Sequence, residues 1–225
     1  MLIVLEGLDG AGKSTQVRKL KSYLEKKCGS LEYIHFPRYD APVYGNLIGK
    51  FLRGGFGAND SVHPQLVALL FAEDRHGASV QMKQALSEGR TVLLDRYVYS
   101  NIAYQCAKLS DSKEVEELKE WIFDTEFNVF DLPKPDINIF LNVPIGFVRR
   151  SLAGQREGND RDYLEGEKDI HEADLEFQSR VRDMYLRQAE EDSSLSVIDC
   201  SDEFGDMLGA DEIFSRIKEL IDSRI

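Results

Sequence analysis

Three cysteines, Cys28, Cys106 and Cys200, are all that 225 residues contain. They are odd in number, widely spaced and free of any Cys-x-x-Cys or Cys/His cluster, so neither a disulfide framework nor a zinc site is indicated. A reduced, cytoplasmic setting is expected. Long apolar runs are missing too. The N-terminal run, residues 2–5, is only four residues long, has no basic stretch before it and meets Glu6 at once, which excludes a signal peptide and a membrane span. Positive charge is scarce, with 28 Lys and Arg against 40 Asp and Glu and a formal net charge of −12. That balance argues against nucleic acid as a partner, because phosphate-backbone binding needs a basic surface. A phosphate ligand must therefore be met by a few locally placed cations. No repeat, low-complexity tract or Pro/Ser-rich linker divides the chain, and residues 1–225 are read as a single domain.

Against these absences stands one dense motif. Gly7-Leu8-Asp9-Gly10-Ala11-Gly12-Lys13-Ser14 has two glycines five apart followed by Lys and a hydroxyl residue, the pattern of a phosphate-cradling loop. It lies between the apolar run 2–5, which reads as a buried parallel strand, and a helical pattern carrying Val17, Leu20 and Leu24. Glycines let the backbone turn tightly with its N–H groups inward, and the helix N-terminus favours an anion. Gly7, Gly10, Ala11, Gly12, Lys13, Ser14 and Thr15 are thus candidate contacts for a nucleotide's phosphates, with Lys13 on the outer phosphates and Ser14 on Mg2+.

A second strand, residues 31–36, ends in Phe36-Pro37-Arg38, and Arg38 is placed either beside the phosphate cradle or in solvent. From His63-Pro64 a helix is expected to about residue 87, with Leu66, Leu69, Leu70, Ala78, Met82 and Leu86 on its apolar side. A helix apolar on more than one side suggests a helix-on-helix dimer contact. Phe71 and Arg75, four apart, share a face and suit a nucleobase and its phosphate, or simply core and solvent. The third strand, residues 91–94, runs into Asp95-Arg96-Tyr97; Asp95 sits where P-loop proteins carry the acidic residue near Mg2+. Ser100, Asn101, Tyr104 and Gln105 follow at the start of a helix, suited to reading a base edge or to forming a polar helix surface. An acidic helix around 114–127, a fourth strand 137–143, a helix from 171 to 190, a last strand 196–199 and a closing helix 210–221 complete the chain.

Taken in order, Gly7 to Ser14, Phe36-Pro37-Arg38, Phe71 to Arg75, Asp95-Arg96-Tyr97 and Leu132-Pro133-Lys134-Pro135-Asp136 resemble thymidylate kinase, the dTMP kinase branch of the P-loop nucleoside monophosphate kinases. The resemblance implies ATP + dTMP giving ADP + dTDP with Mg2+. It also implies a three-layer α/β fold, with a five-stranded parallel sheet of order 2-3-1-4-5 between helices, and a homodimer through the helix at about 63–87. Carried onto this chain, it makes Phe71 the thymine-stacking ring beside Phe36 and Arg75 a base contact. Arg38 and Arg96 would grip the dTMP phosphate, Gln105 or Asn101 would face the thymine edge with Ser100 nearby, and Tyr104 would close the sugar side. Asp9 resembles the carboxylate that touches the 3′-hydroxyl, and Arg149 one that stacks on adenine.

The stretch at about 153–166 is too polar and glycine-rich for a packed element and reads as a lid. Phosphoryl transfer needs positive charge on the migrating group. The family places an arginine in the P-loop or in the lid; with Gly10 at the P-loop position, Arg156 or Arg161 would supply it, Arg156 being favoured. Tyr163 resembles the lid tyrosine over the nucleoside. The remaining alternatives are a kinase for another monophosphate or for a deoxynucleoside, and a regulatory P-loop module. No Asn-Lys-x-Asp motif follows the fourth strand, which argues against a GTPase.

Overall fold

Strand β1 (Leu2–Gly7) lies at the centre of a parallel sheet of order β2-β3-β1-β4-β5, the order implied by the resemblance. The other strands of this computed structural model are β2 (Leu31–His35), β3 (Thr91–Asp95), β4 (Ile137–Asn142) and β5 (Leu195–Asp199). It describes residues 1–153, 164, 169–172 and 174–224. Most of the stretch read as a lid, with Arg156, Arg161 and Tyr163, lies outside the described residues.

The apolar character of β1 follows from burial on both faces. Leu2 and Val4 pack with Ala78 and Met82 of α3 (Pro64–Ser87) and Ile102 of α4 (Val98–Cys106). Ile3 and Leu5 join Leu20 and Leu24 of α1 (Lys13–Cys28) and Ile213 and Ile217 of α8 (Ala210–Asp222). Helices therefore cover both sides of the sheet, giving three layers. The register pairs Leu5 with Asp95, His35 with Asp95 and Gly7 with Leu141. The carboxyl ends of β2, β3, β1 and β4 thus gather at one edge, where ligands of such sheets collect.

Several boundaries differ from the sequence expectations for physical reasons. β1 runs on to Gly7 and β3 to Asp95, so Glu6 and Asp95 are strand residues. On α3, Ala78 and Met82 face the core as expected, but Leu66 and Leu69 are 63% and 36% exposed, and Val67, Ala68, Ala72 and Ala85 take the core positions in their place. α5 (Ser112–Phe123) gives way to a π-helical turn, Asp124–Val129, rather than continuing as one helix. α7 (Leu175–Glu191) starts later than residue 171 because Asp174 caps it, accepting from the N–H groups of Glu176 and Phe177 at 2.9 and 3.0 Å. His171 is left outside the helix. The remaining helices are α2 (Tyr44–Leu52) and α6 (Ile145–Ala153).

Candidate active site

Between β1 and α1 the backbone takes left-handed conformations at Gly10 (φ +74°) and Gly12 (φ +75°), which cost glycine least. A Cβ on Gly10 would also meet Ser151 Oγ at 3.1 Å and Leu152 at 3.2 Å, so α6 presses on the loop where a longer side chain would have to sit. Ala11 is buried, the Lys13 ammonium donates to the Leu8 carbonyl at 3.3 Å, and the Thr15 N–H donates to the Gly12 carbonyl at 3.2 Å. The loop from Asp9 to Ser14 lines a cavity of about 230 Å³ together with His35, Asp95 and Arg96.

Charge is concentrated at this edge. Burial and the neighbouring Arg96 charge depress the Lys13 pKa from 10.5 to about 8, against the pull of Asp95, Asp9 and Glu6. Burial pushes the Asp95 carboxyl up, but the His35 hydrogen bond and the Lys13 and Arg96 charges outweigh it and hold Asp95 ionised. Asp95 Oδ2 lies 3.2 Å from His35 Nδ1, whereas its Oδ1 is buried without a hydrogen-bond partner. An ionised carboxylate with a free oxygen, sharing a cavity with the Ser14 hydroxyl, is a donor set that fits a hard cation.

Arg96 is the hub. Its Nη2 donates to Asp9 Oδ1 at 2.6 Å and to the Tyr104 hydroxyl at 3.2 Å, and Nη1 donates to Ser100 Oγ at 3.2 Å. The Tyr104 hydroxyl and Gln178 Nε2 donate to the other Asp9 oxygen at 2.7 and 3.1 Å. Burial alone would raise the Asp9 pKa; Arg96, Lys13 and Tyr104 reverse that and hold it well below the usual carboxylate range. Arg96 itself has φ +69°, a left-handed conformation uncommon for a residue with a Cβ. The neighbouring hydrogen bonds hold it there. The Arg96 N–H donates to Leu5 O at 3.0 Å, and the next N–H, of Tyr97, donates to the Glu6 carboxylate at 2.9 Å.

Beyond Asp9 and Arg96 a second, smaller pocket opens, of about 70 Å³ and lined also by Phe36, Phe71, Arg75, Ser100, Asn101, Tyr104 and Gln105. Residues 98–106 of α4 are all buried, so Ser100, Asn101, Tyr104 and Gln105 do not form a polar helix surface. Asp9 and Arg96 border both cavities and join them.

A sequence profile for a family described as "Thymidylate kinase" matches residues 5–208. The chain is a member of the thymidylate kinase family. It is 38% identical over 192 residues to the thymidylate kinase of Mycobacterium tuberculosis, covering 84% of this chain and 86% of that one. It is 31% identical over 212 residues to a probable thymidylate kinase of Thermococcus gammatolerans, covering 92% and 91%. Among solved structures, the thymidylate kinase of Candida albicans superposes with a TM-score of 0.70 at 26% identity, over 99% of this chain and 91% of that one.

Of the residues singled out from the family resemblance, Arg38 and Arg149 are not brought to either cavity lining. Asp74, 1% exposed, accepts from the Arg38 N–H at 2.8 Å and from its Nε at 3.0 Å, and the guanidinium carbon lies 5.9 Å from the ring centre of Phe36, which lines the smaller pocket. Arg149 is exposed on α6. Among the residues that sequence reasoning passed over, Glu6, His35, Glu126, His171 and Gln178 belong to the site. Glu6, fully buried, accepts from Tyr97 and Ser100 at the start of α4 and from the Tyr185 hydroxyl at 3.0 Å; burial raises its pKa. A glutamate inside an otherwise apolar buried strand was the one signal available for it. His171, 5% exposed, lines the smaller pocket, where burial depresses its pKa to about 3 and keeps it neutral.

Proposed function

We propose that the chain transfers the γ-phosphoryl group of ATP to dTMP, giving ADP and dTDP for dTTP synthesis. The observation that carries this is the pair of cavities joined at Asp9 and Arg96, inside a family match that spans both. ATP phosphates lie in the loop Gly7 to Ser14 with Thr15 behind them, and dTMP lies in the pocket with Phe71 against its ring. Tyr104 closes the sugar side, and Asp9 meets the 3′-hydroxyl.

The acceptor is itself a phosphate, whose second pKa is near 6, so it arrives ionised and needs no general base. Catalysis is then positioning and charge neutralisation. Arg96 orients the acceptor phosphate from one side, Arg38 reaches it from beside Phe36, and Lys13 draws charge from the donor's outer phosphates. Ser14 and Asp95 would hold Mg2+, which supplies further neutralisation of the phosphate oxygens when bound. Because Gly10 contributes no charge, Arg156 or Arg161 supplies the remaining positive charge and Tyr163 covers the nucleoside; Arg149 faces the adenine.

A panel of dTMP, dUMP, dCMP, dGMP and thymidine, each with ATP, tests the assignment. The expected result is highest kcat/KM for dTMP with no turnover of thymidine. Equal use of the monophosphates would make the chain a general monophosphate kinase, and ATP hydrolysis indifferent to every acceptor would favour a regulatory P-loop module.

Among the described residues no helix is long and apolar enough to cross a membrane. The apolar residues on the outer side of α3, Leu66, Leu69 and Val80 at 63, 36 and 75% exposure, fall on one face of the helix, and we assign that face to a homodimer contact. Sedimentation at micromolar concentration is expected to give a dimer, and Leu66→Glu a monomer. A monomeric parent protein would remove the contact.

A further inference from the structure

At the base end of the nucleoside pocket three side chains form a closed polar set. Arg75, 2% exposed, donates from Nη2 to Glu126 Oε1 at 2.7 Å and from Nε to Glu126 Oε2, so two of its nitrogens are committed to one carboxylate. Asn101 donates from Nδ2 to the same Glu126 Oε1 at 2.9 Å and to the Ala68 carbonyl at 3.0 Å. Both of those partners only accept, so the Asn101 amide cannot turn over without losing both bonds. Its Oδ1 is consequently fixed in the other direction, and it is buried without a hydrogen-bond partner. Arg75 and Asn101 both line the pocket, and Arg75 Nη1 takes no part in the Glu126 pair.

Glu126 is 0% exposed and comes from the π-helical turn Asp124–Val129. The wider turn is closed by Phe130 N–H donating to the Thr125 carbonyl at 2.8 Å, five residues back, and it turns Thr125 and Glu126 inward. Such turns cost regular helix hydrogen bonding and recur where a side chain must be aimed. A carboxylate buried this deeply persists only with matched donors.

We infer that Glu126 is the positioning residue that sets base selectivity: by holding Arg75 and Asn101 from behind, it presents the pocket with one donor and one acceptor. That pair complements a pyrimidine carrying a ring N–H beside a carbonyl, as thymine and uracil do. Cytosine carries the reverse pattern, a ring acceptor beside an amino donor, and would leave Asn101 Oδ1 unpaired and set donor against donor at Arg75. A site that hydrogen-bonds its substrate in this way rejects mismatched analogues strongly, because its own buried polar groups are left unpaired. The inference rests on the proposed reading of this pocket as the nucleoside site.

The test compares dTMP with dCMP as acceptors at saturating ATP in wild type, Glu126→Gln and Glu126→Asp. Glutamine keeps one acceptor oxygen but turns an NH2 group on Arg75 or on Asn101, so one of the two loses its orientation. The expected result is a drop of about tenfold or more in the dTMP-to-dCMP ratio of kcat/KM, carried by a higher KM for dTMP, with KM for ATP unchanged. Glu126→Asp, which keeps the charge, is expected to fall between wild type and Gln, and it decides the question alone if the Gln protein does not fold. A wild-type ratio retained in a folded variant overturns the inference, as does proportional loss with both acceptors, the mark of a purely structural role. A wild type that does not distinguish dTMP from dCMP overturns the base-site reading itself.

Discussion

Alanine at Arg96 is expected to lower kcat/KM for the acceptor by roughly 10³-fold, the scale seen when a charge aimed at a transferring phosphate is removed. Arg96 borders both cavities and binds Asp9, Ser100 and Tyr104 through its guanidinium. On the proposed reading, its loss removes a cation from the point where the two phosphates meet. It also leaves Asp9 with less compensating charge, so that a carboxylate then faces the incoming phosphates. Some stability is lost too, because a side chain only 11% exposed is taken from its partner and alanine inherits a φ of +69°. Steady-state kinetics at a temperature well below the melting midpoint separates the two effects. Arg96→Lys supplies the finer comparison: it keeps a charge but not the planar fork that spans Asp9, Ser100 and Tyr104, and is expected to recover only part of the loss. Near-normal turnover in Arg96→Ala would take this residue out of the chemistry.

Lys13→Ala should be as damaging, with kcat down by about 10³-fold and the melting midpoint little changed, since Lys13 is half-buried and, among the described residues, its ammonium donates only to the Leu8 carbonyl. The parent enzyme offers an independent check through pH. Burial and the Arg96 charge lower the Lys13 pKa to about 8, so kcat/KM for ATP, which reports the free enzyme, is expected to fall as pH rises through 8. Bound phosphates favour the charged lysine, and kcat should hold to higher pH. Stability moves in the opposite sense. An unfolded lysine keeps its proton up to its ordinary 10.5, so between about 8 and 10.5 the unfolded chain binds more protons and the Lys13 contribution to stability rises with pH. A flat kcat/KM profile across pH 8 would mean that Lys13 is not the group that receives ATP.

The parts of this site that a sequence exposes are those written in neighbouring residues. The loop from Gly7 to Ser14 is legible because glycine, lysine and hydroxyl requirements fall at fixed spacing between an apolar strand and a helix. Phe71, Arg75, Arg96 and Tyr104 were reached through the order of short motifs, and the structure brings all four to one pocket. The supporting groups were out of reach because their partners are remote: Glu126 is 51 positions from Arg75, Gln178 is 169 from Asp9 and Tyr185 is 179 from Glu6. Periodicity also misplaced Leu66 and Leu69, because a helix apolar on two sides gives no sign of which faces the core. At residue 171 the missed feature was local: Asp174 is an ordinary cap, but the apolar pattern was followed past it.

The pairing of Leu5 with Asp95 has a bearing on how such a chain can change over generations. Glu6 and Arg96 each follow that last paired position, so the phosphate loop and the arginine leave adjacent strands at nearly the same height. Exchanging one apolar residue for another in residues 2–5 alters packing by increments. Adding or deleting one residue there turns every following side chain to the opposite face of the sheet and withdraws Glu6 from Tyr97 and Ser100. Lineages descending from this chain are thus free to drift in the identity of these strand residues but not in their number, and length variation is expected to collect in connections away from the carboxyl ends of β1 and β3.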